Sequence, residues 1–266
     1  MYQQKFIWRY CTLLLLFTLG QVPITVVAQG QHPHPVLLKY DLGQQGGWIP
    51  YHQSAQIGRP GIFEEITTLI QAATDLEFEA VHFPPKRAEK ALLDGLVDFD
   101  FVCLEWLKDE RQPGFVYSAP LFDVSEYVVT LSKNAALVPQ RSAIYGHPVG
   151  TISGYFYFDD KHFTRMDFLN EKLLLLGLQH ERFTSIIMEK ETAKYWANLL
   201  EIDIAFTALH THGSMLIRLR DEKRGLMPQI NQAIAQIKAS GKLKSLLEKQ
   251  GVEAVIPATP SSVHAN

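Results

Sequence analysis

Strand-like and helix-like segments alternate strictly over the first third of the folded part of the chain. Three apolar runs are typical of strands and two amphipathic runs have helical spacing: "VLLKYDL" (36–42), "GIFEEITTLIQAAT" (61–74), "EFEAVHF" (77–83), "KRAEKALLDG" (86–95) and "VDFDFVCL" (97–104). A β-α-β-α-β order predicts a parallel sheet with right-handed crossovers. Ligands of such sheets bind beyond the carboxyl ends of the strands.

A second α/β unit follows the first. The patterns predict strands in "EYVVTL" (126–131), "VGTI" (149–152), "FTSIIME" (183–189), "IDIAF" (202–206) and "SMLIRL" (214–219). They predict helices in "FLNEKLLLLGL" (168–178), "KETAKYWANLLE" (190–201), "LMPQINQAIAQIKASG" (226–241) and "KLKSLLEKQG" (242–251). "SGYFY" (153–157) is expected to form a glycine turn that leads into a helix.

The first 28 residues have the pattern of an export signal. Lys5 and Arg9 precede the apolar run "CTLLLLFTLG", and "VVA" (26–28) places small residues before a cleavage site after Ala28. The run is too short to favour the alternative of a membrane anchor. The sequence therefore predicts a periplasmic protein with a cleaved signal peptide, and a disordered tail at 257–266.

Charge and cysteine content exclude some functions. The formal net charge is −3 and no basic stripe is present, which argues against nucleic-acid binding. Cleavage removes Cys11 and leaves Cys103 as a single cysteine, so an intramolecular disulfide cannot form. Cys103 lies in a predicted buried strand, and no histidine pattern accompanies it as a catalytic thiol would require.

Five ordered motifs resemble the bacterial periplasmic solute-binding proteins of family 3, the polar amino-acid type of the ABC transporters. They are "WIPYHQ" with "GRPGIFEEI" (48–66), "RAEKALLDGLVDFDF" (87–101), "RQPGFVYSAPLF" (111–122), "VGTISGYFY" (149–157) and "INQAIAQIKASGKLKSLLEKQG" (230–251). Each motif is weak alone, but together they cover nearly all of residues 35–251.

The resemblance implies an α/β, bilobed type II (Venus flytrap) fold with two crossover segments. Lobe 1 is expected at 35–122 and 222–256, and lobe 2 at 123–221. The expected function is capture of a small polar, amino-acid-like solute in the cleft between the lobes. The resemblance implies a monomer without cofactor, metal or enzymatic activity, whose partner is an ABC permease or a membrane sensor.

The resemblance also assigns roles to residues of the cleft. Trp48 or Tyr51 corresponds to the aromatic wall, and Arg111 to the bidentate clamp of an α-carboxylate. Ser153, Gly154 and Tyr155 correspond to a backbone anion site at the start of a helix. The alternative for Arg111 is an ion pair with Glu105 or Asp109.

The chain departs from the family at several of these positions. Glu105 and Trp106 occupy the positions where amino-acid binders carry hydroxyl side chains. The stretch between these positions and Arg111 is also one residue longer than in the family. Glu105 is either a partner for a cationic ligand or a counter-charge for Arg111 or Lys108, and Trp106 is either a stacking wall or packing. Thr207 falls where a carboxylate for the α-ammonium is expected. Arg87 follows Pro84-Pro85 and is a candidate for the mouth of the cleft.

Two other classes of function stay open at this point. An enzyme of the dehydratase kind on the same scaffold would need Glu105 as its acid or base. A partner-binding module with a degenerate cleft would explain the missing ammonium site. His210 and His212 have no obvious third ligand for a metal, and Asp159-Asp160 is more typical of a solvated turn than of an acid/base pair.

Overall fold

The computed structural model describes residues 35–44, 47–52, 58–107 and 111–258. The predicted signal peptide and most of the predicted disordered tail lie outside the described residues. None of the helices in the described part has the length and apolar character that crossing a membrane requires.

Nine strands and six helices form the described chain. The strands are β1 (Val36–Asp41), β2 (Leu76–Val81), β3 (Phe99–Cys103), β4 (Phe115–Tyr117), β5 (Asp123–Leu131), β6 (Pro148–Ile152), β7 (Thr164–Phe168), β8 (Ser185–Glu189) and β9 (Ile204–Arg220). The helices are α1 (Ile62–Gln71), α2 (Pro85–Leu93), α3 (Glu171–Gln179), α4 (Lys190–Leu200), α5 (Met227–Ala239) and α6 (Lys242–Lys249).

The strands form one sheet in the order β2-β1-β3-β9-β5-β8-β6-β7, and β4 pairs with β9 at the side. β1 is parallel to both β2 and β3, which confirms the parallel unit predicted from the β-α-β-α-β pattern. In the second unit β6 is parallel to β7 and β8, whereas β5 and β9 run antiparallel to their neighbours.

β9 is a single strand of 17 residues and not the two strands expected at 202–206 and 214–219. Residues 215–219 pair with β3, and residues 204–214 pair with β5. The intervening "TALHTHGS" is polar, so its pattern does not predict a strand. Backbone pairing with β5 nevertheless continues through this segment. The register shifts at two places, where Thr207 and His210 are the extra residues of two β-bulges.

Two groups of buried apolar side chains divide the molecule into lobes. The core of lobe 1 comes from residues 38–124 and 215–252, and lobe 2 has two adjoining clusters within 128–202. Ile49 is the exception, since it belongs to the loop of lobe 1 but packs in the core of lobe 2. The division at 122/123 and 221/222 stays a prediction, because β9 runs through both lobes without a break.

Gly150 on β6 provides a test of the packing of lobe 2. A Cβ atom at this position would lie 2.6 Å from the side chains of Leu174 and Phe183. We expect Gly150→Ala to lower the free energy of unfolding by about 1–3 kcal/mol through overpacking, measured by urea denaturation. Gly225→Ala is the matched control, because nothing lies within 4 Å of its Cβ. Equal stability of the two variants would contradict the packing described for β6 and α3.

Candidate functional site

A cavity opens between the two lobes at the carboxyl ends of the parallel strands. Asp41 ends β1, Ile152 ends β6 and Glu189 ends β8, and all three line the cavity. The location agrees with the general rule for ligands of parallel sheets. The other lining residues used below are Trp48, His52, Phe63, Glu89, Asp100, Phe101, Trp106, Glu126, Gly154, Tyr155, Phe156, Glu171 and Arg218.

Aromatic side chains form much of the wall on the side of lobe 1. The rings of Trp48 and Trp106 have centroids 5.4 Å apart, and Phe63 lies 5.3 Å from Trp48. Phe63 is stacked on Phe101 at 4.1 Å. The structure thus brings together two of the predicted wall residues, Trp48 and Trp106, beside two phenylalanines that the sequence did not single out.

Tyr51, the other predicted aromatic wall, lies behind this surface. Its side chain is 1% exposed and stacked on Phe122, with ring centroids 5.9 Å apart. Its hydroxyl donates a hydrogen bond of 3.1 Å to Oε1 of Glu189, which belongs to lobe 2. Tyr51 therefore joins the lobes, and it is not among the described residues that line the cavity.

The loop at residues 47–52 contacts both lobes. Besides the Tyr51–Glu189 bond, Glu171 of lobe 2 lies beside the backbone of Trp48, which helps to stabilise its carboxylate, and it receives a hydroxyl hydrogen bond of 2.8 Å from Tyr155. Ile49 adds apolar packing in the core of lobe 2. We call Ile49, the Tyr51–Glu189 pair and the Trp48–Glu171 pair the interlobe latch.

Arg218 on β9 is the arginine that lines the cavity among the described residues, and sequence reasoning did not single it out. It is 2% exposed. Nε and Nη2 donate to Asp100 at 3.0 and 2.6 Å, and Nη1 and Nη2 donate to Glu89 at 3.4 and 2.8 Å. A second bond from Nη1 reaches the side-chain oxygen of Gln112. All five N–H groups of the guanidinium are therefore engaged within the protein.

A signal for Arg218 exists in the sequence. It lies within the apolar run "SMLIRL" that was predicted to be a strand. A buried arginine is costly unless carboxylates pair with it. The partners come from α2 and β3, which are more than 100 residues away along the chain, so the pairing itself could not be predicted.

Burial shifts the pKa of several ionisable groups around the cavity. It raises the pKa of Asp41 to about 6, although the backbone N–H groups of Phe83 and Gly43 stabilise the carboxylate. It raises the pKa of Glu189 to about 7 and also raises that of Glu171. Burial lowers the pKa of His52 to about 3, so this imidazole is neutral at physiological pH.

The structure places Arg111 and Arg87 away from the cavity wall. Arg111 is exposed, and its guanidinium carbon lies 5.1 Å from the ring centroid of Tyr117. Arg87 is exposed on α2, whereas Pro85, Ala88 and Glu89 of the same region line the cavity. Neither arginine is among the described lining residues, and their assignment as ligand-binding residues stays a prediction from the sequence.

Glu105 and Thr207 also lie outside the lining set among the described residues. Oε2 of Glu105 accepts a hydrogen bond of 2.9 Å from Cys103 Sγ, and its carboxylate lies against Gly213 on β9. Cys103 itself is 0% exposed, as the strand pattern predicted. Thr207 donates its hydroxyl hydrogen bond to the carbonyl of Val128 at 3.1 Å.

The helix expected to start near Ser153 does not form. β6 ends at Ile152, the chain then turns, and the next regular element is a short 3₁₀ segment at Asp160–His162. The N–H of Ser153 donates to Phe168 and the N–H of Tyr155 donates to Ile152. These two N–H groups are therefore occupied. The expectation of a helix start was wrong because Ser153 bonds to the end of β7, and the assignment of residues 153–155 as ligand-binding residues stays a prediction.

Gly154 and Tyr155 line the cavity without forming a helix start. Gly154 has a φ of +94°, and a Cβ there would lie 2.7 Å from the backbone nitrogen of Lys86 in lobe 1. The glycine permits both the left-handed backbone and the close approach of the two lobes. Tyr155 contributes its hydroxyl to Glu171.

The two histidines weighed as metal ligands have different partners. Nε2 of buried His210 lies 2.8 Å from Oδ1 of Asp159, and Nδ1 of His212 lies 2.9 Å from the hydroxyl of Ser125. Asp159 is 3% exposed, so it is a buried ion-pair partner and not part of the solvated turn that was expected.

Comparison with known proteins gives one family and many related structures. The family described as "Bacterial extracellular solute-binding proteins, family 3" matches residues 42–252. A search of curated protein sequences gives no match. Among solved structures the chain is similar to AbpA of Streptococcus pneumoniae, an amino acid ABC transporter substrate-binding protein bound to L-arginine. The identity is 17% over 82% of this chain and 96% of that one, with a TM-score of 0.67.

Two further structures show the same architecture. The GluR0 ligand-binding core in complex with L-glutamate is 13% identical over 81% of this chain and 98% of that chain, with a TM-score of 0.68. The ancestral amino-acid-binding protein AncCDT-1, a precursor of cyclohexadienyl dehydratase, is 17% identical over 80% and 95%, with a TM-score of 0.65. These likenesses confirm the predicted two-lobed α/β fold.

The Arg218 network yields a prediction for stability. Arg218→Met leaves the partly buried carboxylates of Asp100 and Glu89 without a counter-charge, and we expect the free energy of unfolding to fall by about 3 kcal/mol, the lower end for breaking a buried pair because both carboxylates keep some exposure. Arg224→Met is the control, because its ion pair with Asp221 is exposed and is worth at most about 1 kcal/mol. Urea denaturation of both variants at pH 7 measures the difference. A loss of under 1 kcal/mol in Arg218→Met would contradict the network.

Glu189 yields a prediction for the pH dependence of stability. Its pKa is raised from an ordinary 4.5 to about 7, so the native protein binds this proton more tightly than the unfolded chain does. The protonated carboxyl group of Glu189 therefore adds to the free energy of unfolding below pH 4.5. This contribution, on the order of 1–3 kcal/mol, is lost as the pH rises through 7. Glu189→Gln should therefore flatten the fall in urea midpoint between pH 4.5 and 7.5. Tyr51→Phe keeps the carboxylate but removes a donor that stabilises its ionised form, so the slope should persist or become steeper. An unchanged slope in Glu189→Gln would refute the assignment.

Proposed function

Because the chain belongs to the bacterial extracellular solute-binding proteins of family 3, we propose that it captures a small polar organic solute in the cleft between its two lobes. Its role is binding, and the ligand is released unchanged. The observation that carries this proposal is a cavity lined from both lobes, with a latch that joins the lobes beside it. A ligand held there contacts both lobes at once, so its binding shifts an open–closed equilibrium.

Related structures support the size and type of the solute. AbpA holds L-arginine and the GluR0 core holds L-glutamate on the same architecture. By this analogy the guest of the present cleft is an amino-acid-like molecule or a related small solute. The aromatic wall formed by Trp48 and Trp106 suits a flat or alkyl portion of such a molecule.

The cellular setting of the proposal rests on the sequence. The export signal at residues 1–28 and the family together support a periplasmic location after cleavage at Ala28. A binding protein there delivers its solute to an ABC permease or presents it to a membrane sensor, and it acts as a monomer.

An enzymatic role has less support than binding. One related structure is a precursor of a dehydratase, and such chemistry needs an acid or base at the substrate. Glu105, the residue weighed for that role, holds its carboxylate against Cys103 and Gly213 instead of on the described cavity wall. We therefore propose that the cleft binds without turnover.

A thermal-shift screen tests the proposal. The purified protein is mixed with amino acids, amines, dicarboxylates and short peptides, and a ligand at about 100 times its Kd should add about 2.7 kcal/mol, or several degrees in Tm. Trp106→Ala should lose this ligand-induced shift because it removes part of the wall, whereas Arg111→Ala should keep it. Loss of the shift in Arg111→Ala alone would instead favour the carboxylate clamp that the resemblance implies. No shift with any compound would count against solute capture.

A further inference from the structure

We propose, on the basis of the function proposed above, that this cleft selects an organic cation that lacks a carboxylate: an amine or guanidine and not the corresponding α-amino acid. The charged atoms of the cavity wall that can still bind a ligand determine which charge the cavity favours. If the unoccupied groups are mainly negative, the cavity favours a cation and disfavours a carboxylate.

The cavity offers no free guanidinium for a carboxylate among the described residues. Arg218 is the arginine on the wall, and its five N–H groups already donate to Asp100, Glu89 and Gln112. A ligand carboxylate could bind Arg218 only by displacing one of the partly buried carboxylates that already pair with it. That exchange would leave Asp100 or Glu89 unpaired, which is costly.

Negative groups outnumber positive ones on the described wall. Six carboxyl groups line the cavity, and the charges nearest to them are those of Arg218 on the wall and of His210 behind it, whose Nδ1 lies 3.5 Å from Oε2 of Glu126 and whose pKa is raised, against the effect of burial, by Asp159 and Glu126. The acidic groups remain in excess, although the raised pKa of Glu189, about 7, makes its charge partial at neutral pH. Asp41 receives the N–H groups of Gly43 and Phe83 through Oδ1, so Oδ2 is available to a ligand. Glu126 receives the hydroxyl of Thr211 through Oε2, so Oε1 is available on the opposite lobe. A cation between these carboxylates gains attraction from both lobes.

Aromatic rings complete the environment of a cation. Trp48, Trp106 and Phe63 on lobe 1 face the cavity together with Tyr155 and Phe156 of lobe 2. The faces of such rings attract ammonium and guanidinium groups and accommodate their alkyl chains. A bare metal ion does not fit this wall, since no group of three potential metal ligands occurs among the described residues.

His52 gives an independent indication of a missing polar ligand. It lines the cavity, and its Nδ1 is buried and has no hydrogen-bond partner among the residues that the structure describes. Buried polar atoms are almost always satisfied. The imidazole is neutral because burial lowers its pKa to about 3, so it does not add a positive charge that would repel a cation.

The ionisation of Asp41 supports the same conclusion. Burial, and to a smaller degree the charge of Asp100, raises its pKa to about 6, while the N–H groups of Phe83 and Gly43 and the charge of His82 act in the opposite direction. A bound cation favours the ionised carboxylate and so lowers this pKa. The affinity for an amine should therefore rise between pH 5 and pH 7.

The test compares amines with the amino acids from which they differ by one carboxylate. Isothermal titration calorimetry of the protein at pH 7.5 uses agmatine against arginine, cadaverine against lysine, and phenethylamine against phenylalanine. We expect at least one amine to bind, and its amino acid to bind at least about tenfold more weakly. An amino acid that binds as tightly as its amine, or more tightly, overturns this inference and leaves solute capture intact. If no compound of either kind binds, and the wider screen also gives no ligand, both proposals fall.

Variants locate the cation within the cleft. Asp41→Asn and Glu126→Gln each remove one of the available carboxylates, and each should weaken amine binding at least about tenfold. Asp41→Asn should also reduce the dependence of affinity on pH between 5 and 7, and the part that remains should come from Glu189 and Glu171, which line the same cavity and whose pKa values are also raised. Asp94→Asn is the control, since this carboxylate pairs with Lys90 on the surface and is not on the wall. Unchanged amine affinity in both folded cleft variants would overturn the inference.

Discussion

Strand β9 sets the relation between the two lobes. Its backbone pairs with β3 and β4 in lobe 1 and with β5 in lobe 2. A strand of 17 residues spans roughly 55 Å, so one continuous element reaches across the molecule. The buried backbone N–H and C=O groups of β9 need hydrogen-bond partners along this whole length, and β3, β4 and β5 supply them. The carboxyl ends of the parallel strands in both lobes are thereby brought to the same cavity, and the bulges at Thr207 and His210 bend the strand within lobe 2.

Local patterns were sufficient to predict most of the fold. The strands and helices of lobe 1 have clear periods of apolar residues, and the β-α-β-α-β order allowed only a parallel sheet. The patterns gave the wrong conformation where hydrogen bonds to a strand far away in the sequence determine whether a segment is a strand or a helix. Residues 207–214 are polar and nevertheless form part of β9, because β5 supplies their hydrogen-bond partners. Residues 153–157 lack a helix for a similar reason, since Ser153 bonds to the end of β7.

The candidate site was less predictable than the fold. Trp48 and Tyr51 were singled out because both stand in a glycine-rich loop without a periodic pattern that would bury them, yet only Trp48 lines the cavity and Tyr51 is buried behind it. Trp106, which the sequence left open between a stacking wall and packing, also lines the cavity. Arg218 could not be placed in the cleft, because its role depends on Glu89 and Asp100, whose contact with it is a result of the sheet order. The resemblance to the family directed attention to Arg111, which in the structure lies over Tyr117 outside the described cavity wall. The spacing of residues along the chain does not show whether Arg111 or Arg218 lines the cavity, because that depends on the order of the strands in the sheet.

The latch and the cavity share their carboxylates. Glu171 and Glu189 line the cavity, and both also contact the loop that holds Trp48 and Tyr51, Glu189 by accepting the hydroxyl hydrogen bond of Tyr51. Burial raises the pKa of both carboxyl groups, so their ionised forms are less stable here than in water. In the proposal that the cleft binds an organic cation, that cation would stabilise these carboxylates only while the lobes are close together. Binding of the cation and contact between the lobes would then favour each other, and coupling of this kind is reciprocal by thermodynamic necessity.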